Sequence, residues 1–253
     1  MSKHFHAALN RMALFTAIIV AGVLYFGPEF MEIATANIWL NGIIIGTAIF
    51  GIGLCFVQMF QLLPENKWLS EFISGRRNIA LPPYFLRPVA QILYANPRRI
   101  SATTLDTVTD ITVMRFEDAR ESVRYITNTL IFLGLLGTFW GLILTVSGFA
   151  EMISSLNFAD ESVLASVQVG VAKPLSGMTT AFTSSLLGLG GSLIISFLAL
   201  QVQIAQNAIF RTLSDFLSAK TNEKPAEEVA RILPQINLTT HELTKHVQSL
   251  TDM

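Results

Sequence analysis

The sequence predicts an all-α, polytopic membrane protein with four transmembrane helices, and three observations carry that prediction. The first is composition. Of 253 residues, 51% are hydrophobic and only 14% charged, with a mean hydropathy of +0.52, which is too apolar for a water-soluble domain of this size. The second is that four apolar stretches, at about residues 12–26, 38–63, 127–148 and 174–202, approach or exceed the roughly 20 residues that cross a hydrocarbon core. The third is the placement of the basic residues. Lys3 and Arg11 precede the first stretch. Lys67, Arg76, Arg77, Arg87, Arg98, Arg99, Arg115, Arg120 and Arg124 lie between the second and third, and Arg211, Lys220, Lys224, Arg231 and Lys245 follow the fourth. The two remaining loops hold only Lys173. Because basic loops are retained on the cytoplasmic side, both termini are expected there, with Glu29 and Glu32 in one external loop and Glu151, Asp160 and Glu161 in the other.

Taken in order, the first stretch is the shortest, and Lys3 and Arg11 before it also suit a cleaved secretory signal. Phe26-Gly27-Pro28-Glu29 lacks a small-x-small cleavage pattern, so the segment is read as a retained span. The second stretch holds Cys55, the sole cysteine, which excludes an intrachain disulfide and a cysteine metal cluster. Trp39 and Trp68 would sit about 44 Å apart along a continuous helix, a spacing that suits two interfacial belts. Pro64, Pro82, Pro83, Pro88 and Pro97 then predict short helices joined by turns.

From Ser101, a plausible N-cap, the absence of Pro and of Gly before Gly134 predicts one unbroken helix to about residue 156, on the order of 80 Å long. It must project into the cytoplasm, where Glu117, Asp118, Arg120, Glu121 and Arg124 form a charged collar able to pair at i,i+3 and i,i+4. The fourth span starts at Pro174, which suits a first helical turn, and continues to about Leu217. Past Lys220 the chain turns polar and Pro225 marks a boundary. Leu233, Ile236, Thr240, Leu243, Val247 and Leu250 then make a short coiled-coil seam. The organisation is thus two N-terminal spans (1–63), a cytoplasmic loop with helices (64–124), a two-helix core (125–217) and a polar tail (218–253).

The core is the informative part. Residues 127–148 and 174–202 contain no Asp, Glu, Arg, Lys or His, yet are rich in Gly, Ser and Thr. On the third span Gly134, Gly137 or Thr138, Gly141, Thr145 and Gly148 recur at steps of three and four, which predicts close helix approach. On the fourth, Met178, Ala181, Ser185, Gly188 and Ser192 form one seam and Ser176, Thr180, Thr183, Leu187 and Gly191 an adjacent one. Each hydroxyl can simply bond back to its own helix. Several on facing helices can also line a hydrated path or receive a carboxylate from another chain. These helices carry no proton themselves, so an ion carrier must come from a partner. Enzyme chemistry is not expected. His4, His6, His241 and His246 all lie near the termini, and no nucleophile has a base at sensible spacing. Neither a cofactor nor a nucleic-acid partner is called for, since the basic residues mark a membrane face.

The run Leu135-Leu136-Gly137-Thr138-Phe139-Trp140-Gly141, followed by Pro174-Leu175-Ser176-Gly177-Met178-Thr179-Thr180-Ala181-Phe182-Thr183-Ser184-Ser185-Leu186-Leu187-Gly188, resembles the MotA/TolQ/ExbB proton-channel family over roughly residues 100–217. The wider chain is most similar to its four-span, MotA-like or ExbB-like alphaproteobacterial members. The resemblance implies a homopentamer in the bacterial inner membrane. Its third and fourth helices would surround the single membrane helices of a dimeric partner resembling MotB, TolR or ExbD, and that partner would bring a proton-binding Asp. Thr138 matches the threonine of the first motif, and Ser185 stands where the second often has Thr. From the spacing of hydroxyls along the two helices, Thr183 and Thr145 are further candidate proton-pathway residues. Gly134, Gly137, Gly141 and Gly188 are candidate packing residues, and Arg115, Glu117, Arg120 and Arg124 candidate coupling residues. The inner loop is shorter than in flagellar members, and TolQ and ExbB generally have three spans. The output therefore stays open among flagellar rotation, envelope energy transduction and phage defence, as does the choice of H+ or Na+. The alternative is a four-helix membrane scaffold that assembles through its small-residue faces and conducts nothing.

Overall fold

Six helices follow one another among the described residues of the computed structural model, which are 2–75, 84–95, 102–155 and 170–251. Side chains are described within those ranges except at 2–6, 93, 95, 102, 155, 220–232 and 235–251. The helices are α1 (Ser2–Tyr25), α2 (Gly27–Thr35), α3 (Ile38–Ile73), α4 (Arg87–Ala95), α5 (Ala102–Ser155) and α6 (Ala172–Thr251). No strand occurs among the described residues. Four of these helices are long and apolar enough to cross a membrane, over Ala7–Tyr25, Ile38–Ile73, Thr103–Ser154 and Ala172–Ala219. That is the make-up of a multi-pass membrane protein. Asp160, Glu161, Ser101, Pro82, Pro83, Pro97 and Arg76, Arg77, Arg98 and Arg99 lie outside the described residues, as do the side chains of all four histidines and of the tail seam beyond Leu233.

Local chemistry accounts for most boundaries. Pro28 stands in the first turn of α2, where its missing N–H costs nothing, and Glu29 meets the positive end of that helix. Gly75, at φ +73°, closes α3 in the left-handed conformation that glycine adopts without steric penalty. Pro64, expected to begin the broken loop, instead lies inside α3. A proline there removes one ladder bond, which a helix anchored on both sides can tolerate. Likewise Pro225 does not end the fourth span's helix, since α6 is helical through it to Thr251.

The chain divides into two compact units. The first comprises Met1–Pro64 and Phe116–Ala208. Its buried residues include Met12, Ile44, Cys55, Met59, Leu62, Leu130, Ile195 and Leu198. Phe15 of α1 packs on Phe197 of α6 with ring centroids 4.0 Å apart. Gln58 donates across to the Ala119 carbonyl at 2.8 Å, which ties α3 to α5. Large apolar side chains on α5 and α6, among them Phe132, Phe139, Val146, Phe182 and Leu193, remain exposed in the single chain. In water such a surface would be a liability, whereas for a membrane protein it is the contact with lipid or with further chains.

The second unit comprises Glu65–Arg115 and Ile209–Met253. Its centre is aromatic. Phe72 stacks on Trp68 at 5.0 Å and meets Phe216 edge-on at 5.7 Å and Tyr94 at 6.2 Å. Trp68, expected at an interfacial belt, is therefore a core residue with only 4% of its surface exposed, while Trp39 is open. Glu65, wholly buried, accepts backbone N–H bonds from Phe85 (2.5 Å) and Leu86 (3.3 Å), just before α4. The two bonds fix the backbone just ahead of α4. Arg115 donates to the Tyr84 carbonyl at 3.2 Å and lies over the Tyr84 ring.

Candidate ion-path site

Helices α5 and α6 run antiparallel and touch through glycine. A methyl placed on Gly137 would lie 2.2 Å from Ser184 Cβ, one on Gly141 2.5 Å from Ala181 N, one on Gly148 2.8 Å from Pro174 N and one on Gly188 2.7 Å from Gly134 Cα. From the other side, a methyl on Gly177 would stand 2.6 Å from the Thr145 backbone N. The stripe of small residues at steps of three and four is thus the α5–α6 seam, with backbones close enough that only glycine fits.

This seam fixes where the candidate hydroxyls go. Successive helical residues are about 100° apart, and in an antiparallel pair the residue that follows each contact residue falls on the same flank of both helices. Thr138 follows Gly137, and Ser185 follows Ser184. The two therefore share one flank, where Leu142, Met178 and Leu189 are exposed. Thr183 precedes Ser184 and falls on the opposite flank. There α3 packs, with Ala48 Cβ 3.3 Å from where a Gly191 methyl would stand, and there Thr180 is buried. Thr145, seven residues on from Thr138 and so close to it in helical phase, is taken into the seam by its contacts, 8% exposed, donating to the Gly141 carbonyl at 2.8 Å with the Pro174 carbonyl 3.3 Å away. Of the four proton-pathway candidates the fold brings Thr138 and Ser185 together and separates Thr183 and Thr145 from them.

Hydrogen bonding separates the hydroxyls further. Thr138 donates to the Leu135 carbonyl (2.6 Å), Thr183 to that of Thr179 (2.9 Å) and Ser192 to that of Leu189 (2.8 Å), so each keeps only lone pairs to offer. Ser184 is different: fully buried, it donates away from its own helix to Asn41 Oδ1 on α3 at 2.7 Å. Asn41 Nδ2 in turn donates to the Ile33 carbonyl of α2 at 2.8 Å. Ser185 makes no hydrogen bond among the described residues and is half-buried, so its hydroxyl retains both donor and acceptor capacity. Asn41 and Ser184 were missed in the sequence because Asn41 sits alone in an apolar run, with no spacing that points to its partner.

The charged collar is likewise divided. Arg120 pairs with Glu117 at 2.6 Å and donates across to Gln206 (2.9 Å) and Asn207 (2.8 Å), which clamps α5 to α6. Arg124 pairs with Glu121 at 3.2 Å, largely exposed. Arg115 belongs to the other unit and holds Tyr84. At the opposite end of the seam Lys173 pairs with Glu151. Among the described residues no cluster of His, Cys, Asp or Glu could hold a metal ion. Chemically the apolar stretches offer no acid or base, only hydroxyls and the Asn128 and Gln201 amides, and among their hydroxyls those of Ser147 and Ser185 make no hydrogen bond with the described residues.

These features define an all-helical, multi-pass membrane chain organised around a glycine seam with a hydroxyl-bearing flank. No protein-family profile, curated protein or solved structure matches it significantly.

Proposed function

We propose that the protein is the channel-forming stator subunit of a proton-driven inner-membrane motor of the MotA/TolQ/ExbB kind. Five copies would set their Thr138–Ser185 flanks around the membrane helices of a dimeric one-span partner, with both termini of each copy in the cytoplasm. The observation that carries this reading is the shared flank itself. Thr138 and the unbonded Ser185 stand together beside exposed apolar residues, with no ionisable side chain in residues 127–148 or 174–202. A neutral, protonated Asp of the partner can enter such a wall, while its ionised form is held by hydroxyls and water. Alternation between the two states is what a rotary step requires. The proposed output is mechanical work on the partner, not catalysis, and no cofactor takes part.

Mass measurement of the detergent-purified native complex tests the assembly. Five copies with two of a one-span protein are expected, and a monomer or dimer without such a partner overturns it. The scaffold alternative is separated by the Thr138→Ala, Ser185→Ala double variant. A channel loses ion flux while the complex persists, whereas a scaffold keeps its cellular activity.

A further inference from the structure

The flank that bears Thr138 and Ser185 does not end in the apolar stretch. On α6 the residues Ser185, Ser192, Ser196 and Gln203 follow at steps of seven, four and seven, and on α5 the residues Thr138, Thr127, Arg124 and Arg120 descend at steps of eleven, three and four. Both series hold one helical phase to within about a tenth of a turn on either side, so all eight lie along the same side of the seam. The series runs into a cleft of about 440 Å3 of mixed character, where Glu117, Arg120, Arg124, Thr127, Ser196 and Gln203 share the wall with apolar side chains of both helices. A space of that size has room for on the order of ten waters.

We propose that this cleft is the inner outlet of the ion path, resting on the channel reading above: an ion released at Thr138 and Ser185 passes the buried Ser192 and leaves along Ser196 and Thr127 into water held between Glu117, Arg120 and Gln203. Three features suit it to that task. Thr127 and Ser196 donate to the Val123 and Ser192 carbonyls at 3.0 and 2.8 Å, so they turn lone pairs to a passing cation or a water chain. The guanidiniums raise no net positive barrier, because Arg120 carries Glu117 and Arg124 carries Glu121. The wall is held open by Arg120, whose bonds to Gln206 and Asn207 fix the spacing of α5 and α6 where the apolar seam ends. The proton moves as hydronium or along water, so no bond to the protein is made or broken.

The test uses the complete native complex in inside-out vesicles, with Cys55→Ala removing this chain's only thiol and the Cys55→Ala complex itself as the baseline for reaction and flux. Gln203→Cys and Ser196→Cys place single thiols on the path. Ile204→Cys is the control, exposed at the same depth but on another side of α6. A charged, membrane-impermeant methanethiosulfonate reagent is applied from the inner side. Gln203→Cys and Ser196→Cys are expected to react and their modification to cut ion flux by about fivefold or more, while modified Ile204→Cys conducts normally. Complete modification of Gln203→Cys and Ser196→Cys with flux unchanged overturns the outlet. So does an equal loss at Ile204→Cys. If the unmodified complex carries no flux at all, the channel reading fails instead, and reactivity at 196 and 203 still reports whether water reaches the cleft.

Discussion

Ser184 Oγ donates to Asn41 Oδ1 at 2.7 Å, with both residues wholly buried, joining α6 to α3 across 143 residues of sequence. The bond fits the rotation of α6 that the glycine seam sets. Ser184 is spent on α3, so Ser185 is turned to the other flank beside Thr138. Asn41→Leu and Ser184→Ala should each lower the thermal stability of the purified protein, by about 1–2 kcal/mol. Asn41→Leu also loses the Nδ2 bond to the Ile33 carbonyl, so it should cost the more of the two, and the double variant should cost little more than Asn41→Leu alone. Additive losses in the melting experiment would show that the two side chains act separately.

Gly188 and Gly190 lie two residues apart on one helix but in opposite surroundings. A methyl on Gly188 would stand 2.7 Å from the Gly134 Cα and the Leu130 carbonyl, both backbone, while one on Gly190 meets nothing within 4 Å. Gly188→Ala should therefore force α5 and α6 apart and destabilise by about 1–3 kcal/mol. Gly190→Ala should be neutral or gain slightly from helix propensity, by up to about 1 kcal/mol. Comparable melting curves for the two variants would remove the basis for a backbone-tight seam.

Flank position predicts a graded response among the hydroxyls. In the reconstituted complex Ser185→Ala and Thr138→Ala should each reduce ion flux by about tenfold, the loss of one hydrogen bond to an ionised carboxylate. Thr183→Ala, on the α3 side, should change it by less than about twofold. Thr145→Val should act on stability, since its hydroxyl lies within the seam between the Gly141 and Pro174 carbonyls. Flux that depends on Thr183 more than on Ser185 would mean that the opposite flank lines the path.

Glu65 holds the segment before α4 by two backbone bonds. Glu65→Ala leaves those N–H groups without their acceptor, and amide exchange across residues 84–95 should accelerate by about tenfold or more, corresponding to a loss of about 1–3 kcal/mol. Glu65→Gln retains one acceptor oxygen and should fall between. Exchange mass spectrometry reads both, and unchanged protection in the alanine variant would assign the ordering of that segment to packing alone.

The four apolar helices, the long uninterrupted α5 and the small-residue stripe were legible in the sequence, because each depends on residues within a turn or two of one another. Pro64 and Pro225 were misjudged for the same reason: local rules record the lost ladder bond but not the helix on either side that absorbs it. Trp68 was placed at an interface from spacing alone, whereas Phe72, four residues on in α3, offers it a stacking partner within a core.

By itself the sequence determined that this chain is helical, that four of its helices suit a membrane, and that two of them bear glycine and hydroxyls without charge, since hydropathy and helical period are properties of short stretches. Only the tertiary structure decided which hydroxyls share a side. Spacing puts Ser185 and Thr183 on adjacent seams of one helix, but which of them shares a side with Thr138 is open until α5 is set against α6. That choice rests on contacts between segments far apart in the chain, where packing of whole surfaces, and not the preference of any residue, selects the partner.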